Sequence, residues 1–373
     1  MRIALLTGCL SHRGYGVRNA VEILSADLKR LGHDVMVFGL ADHAWVASES
    51  LIWRGAPTHV LRFFGPENFG YAPRLANDVV SFDPDIVHVN GLWMYHSAVA
   101  PKVAKRSGAK LVVSPHGMMA SAALQYSSFK KRAALAIYQR ACFESADGFH
   151  ATAHSEREEI KSLTSHPRIM VIPNGLRITG LVGLPMQARK NRVIAIGRLH
   201  HKKAYDQLLR AWKLIEGRFP NWTLEIRGPS ADDHADQLAK LATELGLARA
   251  VVGGPVDENE RDRLLGDSKL FVLSSHNENF ALTVPEALYL GTPVLASKGT
   301  PWAGLDAHGC GWWVEGDPES LADGLSQALS VDDGARGQMG QQGRKWVQDE
   351  FSAERAARSM AEFYTSLIAG GKT

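Results

Sequence analysis

The sequence predicts an α/β protein built as two parallel-sheet domains, and three observations carry that prediction. Short β-branched and aliphatic runs alternate with amphipathic stretches along the whole chain, the pattern of parallel strands joined by crossover helices. With 373 residues and 45% hydrophobic content, the chain is long for one domain and ample for two cores. Residues 176–191, which hold Gly180, Gly183 and Pro185 and show no clear periodicity, lie between two such series and read as an interdomain linker.

Residues 3–7 are the first buried strand, and Gly14-Tyr-Gly16 breaks the chain before a helix with Val17, Val21, Leu24, Leu28 and Leu31 on one face. Gly32-His33 stops that helix. Strands follow at 34–39, 85–89, 110–114, 148–152 and 169–172, and Pro173-Asn-Gly175 closes the first half. The second half repeats the architecture without a close sequence repeat, with strands at 192–197, 222–227, 250–253, 269–274 and 293–296. The last helix, after Phe351-Ser352, carries Ala356, Met360, Phe363 and Leu367 on one stripe.

Bulk properties exclude several classes. A net charge of +3 is too mild to imply nucleic acid as a partner. Cys9, Cys142 and Cys310 are far apart and lack metal-ligand spacing, which points to a reduced, cytoplasmic setting. Residues 1–8 hold one positive charge and a short apolar run, so they read as a strand rather than a signal peptide. No stretch approaches the roughly 20 apolar residues of a membrane span.

The most informative segment runs from Glu278 to Glu286, after the strand at 269–274. Pro285 suits the first turn of a helix, where a missing N–H costs nothing, so Glu286 sits in that first turn. Backbone N–H groups around Asn279, Phe280, Ala281, Leu282 and Thr283 then favour an anionic ligand such as a diphosphate. A ribose offers two adjacent hydroxyls to Glu286, and a sugar offers hydroxyls to Glu278. Among 39 acidic residues, two glutamates eight apart mean little alone; the strand before them, the Pro-Glu helix start and Gly291-Thr-Pro-Val294 after them supply the context.

This segment resembles the donor site of the retaining nucleotide-sugar glycosyltransferases of family 4, whose pattern reads Glu, Gly-Phe-Gly, then Glu-Ala-Leu and Gly-x-Pro-Val. Glu278, Phe280, Glu286, Ala287, Leu288, Gly291, Pro293 and Val294 match, while Asn279 and Ala281 stand where the family has glycines. The resemblance implies the GT-B fold: two Rossmann-like domains with parallel sheets facing across a cleft, and a C-terminal helix crossing back to the N-terminal domain. On that basis residues 1–178 form the acceptor domain, residues 179–352 the nucleotide-sugar donor domain, and the helix at 353–373 packs back on the first.

A second constellation, Gly197-Arg-Leu-His-His-Lys-Lys203, follows the first strand of the second domain, where strand C-termini face ligand clefts. Arg198 can grip a diphosphate with a bidentate fork, and Lys203 is a compact point charge. Both meet the charge that builds on a leaving diphosphate. The segment is similar to the family's Gly-Arg-Leu, three residues, Lys-Gly, with Ala204 in place of the last glycine.

His116 ends the strand at 110–114 in Pro115-His-Gly117, matching a family His-Gly, and is a candidate for a sugar-hydroxyl or reaction-centre contact; a neutral ring there could accept a hydrogen bond. Gly14 and Gly16 fit the family's glycine-rich loop over the donor phosphates. As a dinucleotide fingerprint they are poor, because Asn19 replaces the third glycine; with Asp42 after the second strand they keep an NAD-dependent oxidoreductase as a minor reading. Asn90 and Trp93 follow a strand end and could line an acceptor pocket, with Trp93 as a stacking surface, or could simply pack the loop. Asp83-Pro-Asp85 mimics a metal-binding acid pair but precedes a strand and reads as a turn. Neither a metal nor another cofactor is expected, since Arg198, Lys203 and the helix N-terminus supply the positive field. Residues 127–140 form a basic amphipathic helix that could touch anionic lipid on the inner face of a membrane or lie solvated.

The resulting expectation is a retaining, metal-independent hexosyltransferase that takes a UDP- or GDP-linked sugar to a glycan or lipid-linked acceptor, as in surface-polysaccharide biosynthesis. Residues His116, Arg198, Lys203 and Glu278 serve the reaction and Glu286 the ribose. Competing readings are a phosphorylase or epimerase of the same shape, and a catalytically silent sugar-nucleotide-binding subunit.

Overall fold

A computed structural model describes residues 1–11, 14–41, 53–120, 133–230 and 233–370. The chain divides into two compact units, Met1–Arg177 with Ser352–Thr373, and Ile178–Phe351. Asp42 and residues 127–132 of the basic helix expected at 127–140 lie outside the described residues; of the rest, Leu135–Gln139 form a π-helical turn that leads into a helix. No helix among the described residues is long and apolar enough to cross a membrane.

In the first unit the strands β1 (Arg2–Thr7), β2 (Asp34–Leu40), β3 (Thr58–Leu61), β4 (Ile86–Asn90), β5 (Lys110–Ser114), β6 (Gly148–Ala151) and β7 (Ile169–Val171) form one parallel sheet in the order 3-2-1-4-5-6-7. Helices α1 (Tyr15–Arg30), α2 (Leu75–Ser81), α3 (Tyr95–Ser107), α4 (Arg140–Ser145) and α5 (His154–Leu163) make the crossovers. Because side chains alternate along a strand, one core takes Ala4, Leu6, Val87, Val89, Leu111 and Val113 with α2 to α5, and the other takes Ile3, Leu5, Ile86 and Val112 with α1. Edge strand β3 is absent from the sequence reading. Its burial is partial along Thr58–Val60, so Thr-His-Val-Leu has no hydrophobic run to announce it.

The C-terminal helix, Ala353–Ala369, completes this unit by laying Ala357, Met360, Phe363, Tyr364 and Leu367 on the α1 face. Gly148 makes room for it, since a Cβ there would lie 2.6 Å from the Phe363 ring. A polar ladder crosses under the sheet: Tyr364 Oη meets His88 Nδ1 at 2.5 Å, His88 Nε2 meets Ser114 Oγ at 2.5 Å, Ser114 Oγ meets His150 Nδ1 at 2.6 Å, and His150 Nε2 donates to the Ile172 carbonyl at 2.8 Å. All four side chains are buried, and each finds a partner, as buried polar groups must.

The second unit holds β8 (Lys190–Ile196), α6 (Tyr205–Ile215), β9 (Thr223–Arg227), α7 (His234–Glu244), β10 (Ala250–Gly253), α8 (Glu258–Gly266), β11 (Ser268–Leu273), α9 (Thr283–Tyr289), β12 (Val294–Ser297), α10 (Gly304–Ala307), β13 (Gly311–Val314), α11 (Pro318–Ser330) and α12 (Asp333–Glu350). Its parallel sheet runs 10-9-8-11-12-13. Asp257, Asp317 and Asp332 cap α8, α11 and α12 by accepting from the N–H three residues on, and Pro318 takes the first position of α11. Strand β13, like β3, is missing from the sequence reading.

The aperiodic stretch at 176–191 is not all linker. Arg189 is buried and donates to Leu184 O at 2.7 Å, Thr292 Oγ1 at 2.6 Å and Leu290 O at 2.8 Å. Gly183 lies so close to Leu290 O that a Cβ would approach to 2.4 Å. A buried guanidinium needs this full set of acceptors, so residues 183–189 are part of the second unit's body although nothing in their pattern is periodic.

Burial holds the first unit's histidines neutral: His96 and His150 are lowered to about 4, His116 to about 3 and His88 well below its usual value, with neighbouring histidines adding to the effect at His88 and His116. The unfolded chain takes up these protons near pH 6.5, whereas the folded unit resists them, so the stability they carry is complete above pH 6.5 and is lost as pH falls toward 4. At roughly 1.4 kcal/mol per pH unit for each group, the first unit should lose several kcal/mol over that interval. Denaturant unfolding at pH 7, 6, 5 and 4 should show its midpoint fall steeply below 6.5; a flat midpoint down to pH 5 would contradict the buried, neutral ladder.

Candidate functional site

In both sheets the strand order reverses at one place, between β1 and β4 in the first unit and between β8 and β11 in the second. Loops leaving adjacent strands at such a point diverge and open a crevice at the strands' C-terminal ends. The residues singled out by sequence fall on these loops. Gly14 follows β1 and Gly16 lies in the first turn of α1, Asn90 ends β4 with Trp93 after it, and His116 follows β5 next to it. Arg198 and Lys203 follow β8, and Glu278 to Glu286 follow β11.

At the second unit's switch point Lys203 and Glu278 meet directly, Nζ to Oε1 at 2.5 Å, with both side chains under one-fifth exposed. Ser275 Oγ donates to the same Glu278 oxygen at 2.8 Å, and Ser274 Oγ holds the Lys203 carbonyl at 2.8 Å. Two loops that are 75 residues apart in sequence are thus tied across the switch point. Arg198 is exposed on the loop that Gly197 begins. Tyr205, buried behind this pair, has no hydrogen-bond partner for its Oη among the described residues, and burial with the nearby Glu278 charge keeps its phenol protonated.

Helix α9 begins at Thr283, and Glu286 lies in its first turn. Its carboxyl pairs with Arg261 of α8 at 3.1 Å, and Arg261 also holds Asp262 at 2.8 Å. Burial pushes Glu286 up to about 7 against the opposing pull of Arg261. Phe280 anchors the preceding loop: its ring packs on Trp302 and Phe351, and its carbonyl accepts Trp302 Nε1–H at 2.6 Å. That burial leaves the backbone of Phe280 to Thr283, rather than the phenyl ring, to meet a ligand.

In the first unit His116 Nε2 lies 3.1 Å from Asn90 Oδ1, and Glu156 of α5 receives Gly117 N at 2.6 Å together with Thr152 N at 2.7 Å. Asn90 is 2% exposed, so it holds His116 rather than lining an open acceptor pocket. Trp93 is partly buried against the core, with its backbone N–H on Gln139 Oε1 at 3.1 Å and its carbonyl receiving Tyr138 Oη at 2.7 Å, while its indole N–H finds no partner among the described residues. Asn90, His116 and His150 border a cavity of about 20 Å³ that Ala20, Leu24 and Met360 also line, room for about one water. Gly14 precedes α1, where a Cβ would press on Arg18, and Gly16 faces open space. Asp83 and Asp85 turn the chain at the other end of the sheet, Asp85 receiving Arg2 N at 2.7 Å.

Five non-glycine residues among those described have positive φ, and four of them sit in these loops: Trp93 (70°), His116 (51°), Ala204 (50°) and Ala281 (63°). Left-handed backbone costs an L-residue about 1–2 kcal/mol, and such strain gathers at functional sites. Ala204 and Ala281 are two of the three positions, with Asn279, at which the family pattern has glycine, so these alanines follow the glycine path. Sequence reasoning missed Arg261, Tyr205, Glu156 and the ladder through His88, Ser114 and His150. Only a fold brings them to the loops, and no motif spacing marks them.

Two family models together span most of the chain: "Glycosyl transferase 4-like domain" matches residues 15–175, and "Glycosyl transferases group 1" matches residues 183–346. A D-inositol 3-phosphate glycosyltransferase of Corynebacterium urealyticum is 33% identical over 195 residues, which are 50% of this chain and 45% of that protein. The match therefore spans under half the length of that relative. A GDP-mannose:cellobiosyl-diphosphopolyprenol alpha-mannosyltransferase of Xanthomonas oryzae pv. oryzae is 25% identical over 280 residues, 74% of this chain and 72% of that one. Among solved structures, Anabaena Alr3699/HepE in complex with UDP and glucose superposes with a TM-score of 0.80 at 20% identity, over 98% of this chain and 100% of that one. WaaG, a glycosyltransferase involved in lipopolysaccharide biosynthesis, gives 0.70 at 14% identity, over 99% and 100%. At these identities the likeness establishes the fold, two Rossmann-like units of the GT-B type.

The left-handed alanines make a stability prediction. Ala281→Gly should stabilise the second unit by about 0.5–1 kcal/mol, the relieved strain less the extra chain entropy of glycine. Ala204→Gly should be near neutral, because Ala204 is wholly buried and its methyl is worth about 0.8 kcal/mol. Thermal unfolding of both variants measures this; a destabilised Ala281→Gly would mean that the loop does not hold the left-handed path.

Proposed function

Since the chain belongs to the family-4 glycosyltransferases of the GT-B fold, we propose that it moves a hexosyl group from a UDP- or GDP-linked sugar to a sugar hydroxyl of a glycan or lipid-linked acceptor, with retention of configuration and without a metal. The observation that carries this reading is the Lys203–Glu278 pair at the switch point of the second unit. A structural ion pair has no need of that place, whereas a donor needs a cation for its diphosphate and an acceptor of hydrogen bonds for its sugar. The relative named as a GDP-mannose-dependent alpha-mannosyltransferase, and the neighbour that holds UDP and glucose, support the same class of donor.

In this reading Lys203 exchanges Glu278 for a phosphate oxygen when the donor enters, and Arg198 joins it from the same loop. Glu278 is released to receive sugar hydroxyls, still held by Ser275. As the bond from the anomeric carbon to the diphosphate breaks, its electron pair goes to the leaving phosphate, and fixed cations favour that state over the ground state. The acceptor hydroxyl forms the new bond, and its proton passes to the leaving diphosphate or to solvent. Glu286 takes the ribose diol, oriented by Arg261. The first unit serves the acceptor, with His116 as a hydroxyl contact.

Thermal unfolding against a panel of uridine and guanosine diphosphates and their sugars tests the donor site. One base family should raise the midpoint, by about 2.7 kcal/mol of stability at 100 times its dissociation constant, and Lys203→Ala and Glu286→Gln should remove the shift while staying folded. No shift with any nucleotide would remove the sugar-nucleotide reading. A pH dependence follows from Glu286, which titrates near 7 in the ligand-free protein. A diol donates to the ionised carboxylate, so binding below pH 7 must release a proton. Affinity should rise with pH up to about 7 and level off above it, with proton release measurable by calorimetry in buffers of different ionisation enthalpy; affinity that instead falls across pH 6–8 would mean Glu286 binds as the acid.

A further inference from the structure

Asn90 closes β4, and its side chain meets two groups of opposite demand. Its Nδ2 donates to the His88 carbonyl at 3.2 Å, and its Oδ1 faces His116 Nε2 at 3.1 Å. A carbonyl oxygen only accepts, so the amide nitrogen must face His88 and the amide oxygen must face His116. The amide oxygen also only accepts. The hydrogen between Asn90 and His116 therefore belongs to Nε2. A neutral imidazole carries one hydrogen, so Nδ1 of His116 is bare and accepts.

Neither residue can relax out of this arrangement at low cost. The Asn90 backbone is pinned because His96 Nε2 reaches the carbonyls of Asn90 and Gly91, each at 3.2 Å. Flipping the amide would set its oxygen against the His88 carbonyl and bury two acceptors facing each other. The His116 backbone is held in the left-handed region, with Gly117 N fixed on Glu156. His116 Nδ1 has no hydrogen-bond partner among the described residues.

We infer that Asn90 is a positioning residue that fixes His116 as its Nε2–H tautomer and so leaves Nδ1 as the hydrogen-bond acceptor offered to a substrate hydroxyl. The hydroxyl rests on the transferase reading above; the tautomer does not. The consequence is selectivity. A site whose one presented nitrogen accepts takes a group with a hydrogen to donate, and rejects a deoxy, ether or carbonyl analogue at that position, which would leave Nδ1 unpaired.

The test is a long-range proton–nitrogen NMR spectrum of histidine-labelled protein at pH 7.5, with His116 assigned by difference from His116→Asn. The expected spectrum shows Nε2 protonated and Nδ1 bare, and becomes mixed or reversed in Asn90→Ala, which has no acceptor to offer. A protonated Nδ1 in the wild type, or an unchanged tautomer in folded Asn90→Ala, would overturn the inference. If Asn90→Ala fails to fold, the wild-type spectrum decides alone. In turnover, Asn90→Ala should lower kcat about 10- to 100-fold with nucleoside diphosphate affinity unchanged; an unaltered kcat counts against the inference. Absence of turnover with every nucleotide sugar would sink the transferase reading and leave the tautomer to the spectrum.

Discussion

Parallel strands must return to the same edge of the sheet through a crossover, so every loop that leaves their C-terminal ends emerges on one side. Where the strand order reverses, two neighbouring loops part and cannot cover the gap between them. The rest of this structure depends on that constraint. It places Lys203 and Glu278, on loops after β8 and β11, within bonding distance despite their separation in the chain. It brings Asn90 and His116, at the ends of β4 and β5, into contact as well. In each unit the chemistry-bearing side chains are polar groups gathered at the one rim the sheet leaves uncovered.

Around that rim, rigidity comes from charged groups that each hold more than one partner. Glu156 gathers the N–H groups of Gly117 and Thr152, and Arg261 gathers two carboxylates, Glu286 and Asp262. Backbone strain is the counterpart. Trp93, His116, Ala204 and Ala281 are held in the left-handed region by loops whose anchors lie deeper, as Phe280 shows with its ring among Trp302 and Phe351. The strain resides where a ligand would be met, and the anchoring resides in the core.

The architecture was legible because parallel strands, buried on both faces, write themselves as hydrophobic runs. Strands at 110–114 and 250–253 have the bounds read from sequence, and the amphipathic spacing of Val21 and Leu28 marks the core face of α1. Strands β3 and β13 were not legible because Thr-His-Val-Leu and Gly-Trp-Trp-Val carry no aliphatic run, whereas Ala-Val-Val-Gly of the edge strand β10 does. Positions 183–189 read as linker because what binds them is one buried arginine, which leaves no period. Motif loops could be found from local order alone, which is why Lys203, Glu278 and Glu286 stood out. Arg261, Glu156 and Tyr205 could not, because each acts on a loop from a different element and nothing in sequence spacing measures that distance.

The Tyr364–His88 hydrogen bond joins the last helix to the fourth strand, 276 residues earlier. A ribosome delivers the chain from one end, so the first unit's sheet emerges long before the helix that closes one of its faces. Until residue 369 is out, Ile3, Leu5 and Val112 lack the cover of Met360 and Phe363, and His88 lacks its phenol. The second unit is continuous in sequence and has everything it needs as soon as Phe351 appears. Synthesis order and completion order are therefore opposite, and the nascent chain carries an open apolar face for most of its translation, which makes the first unit the part that depends on protection while the protein is being made.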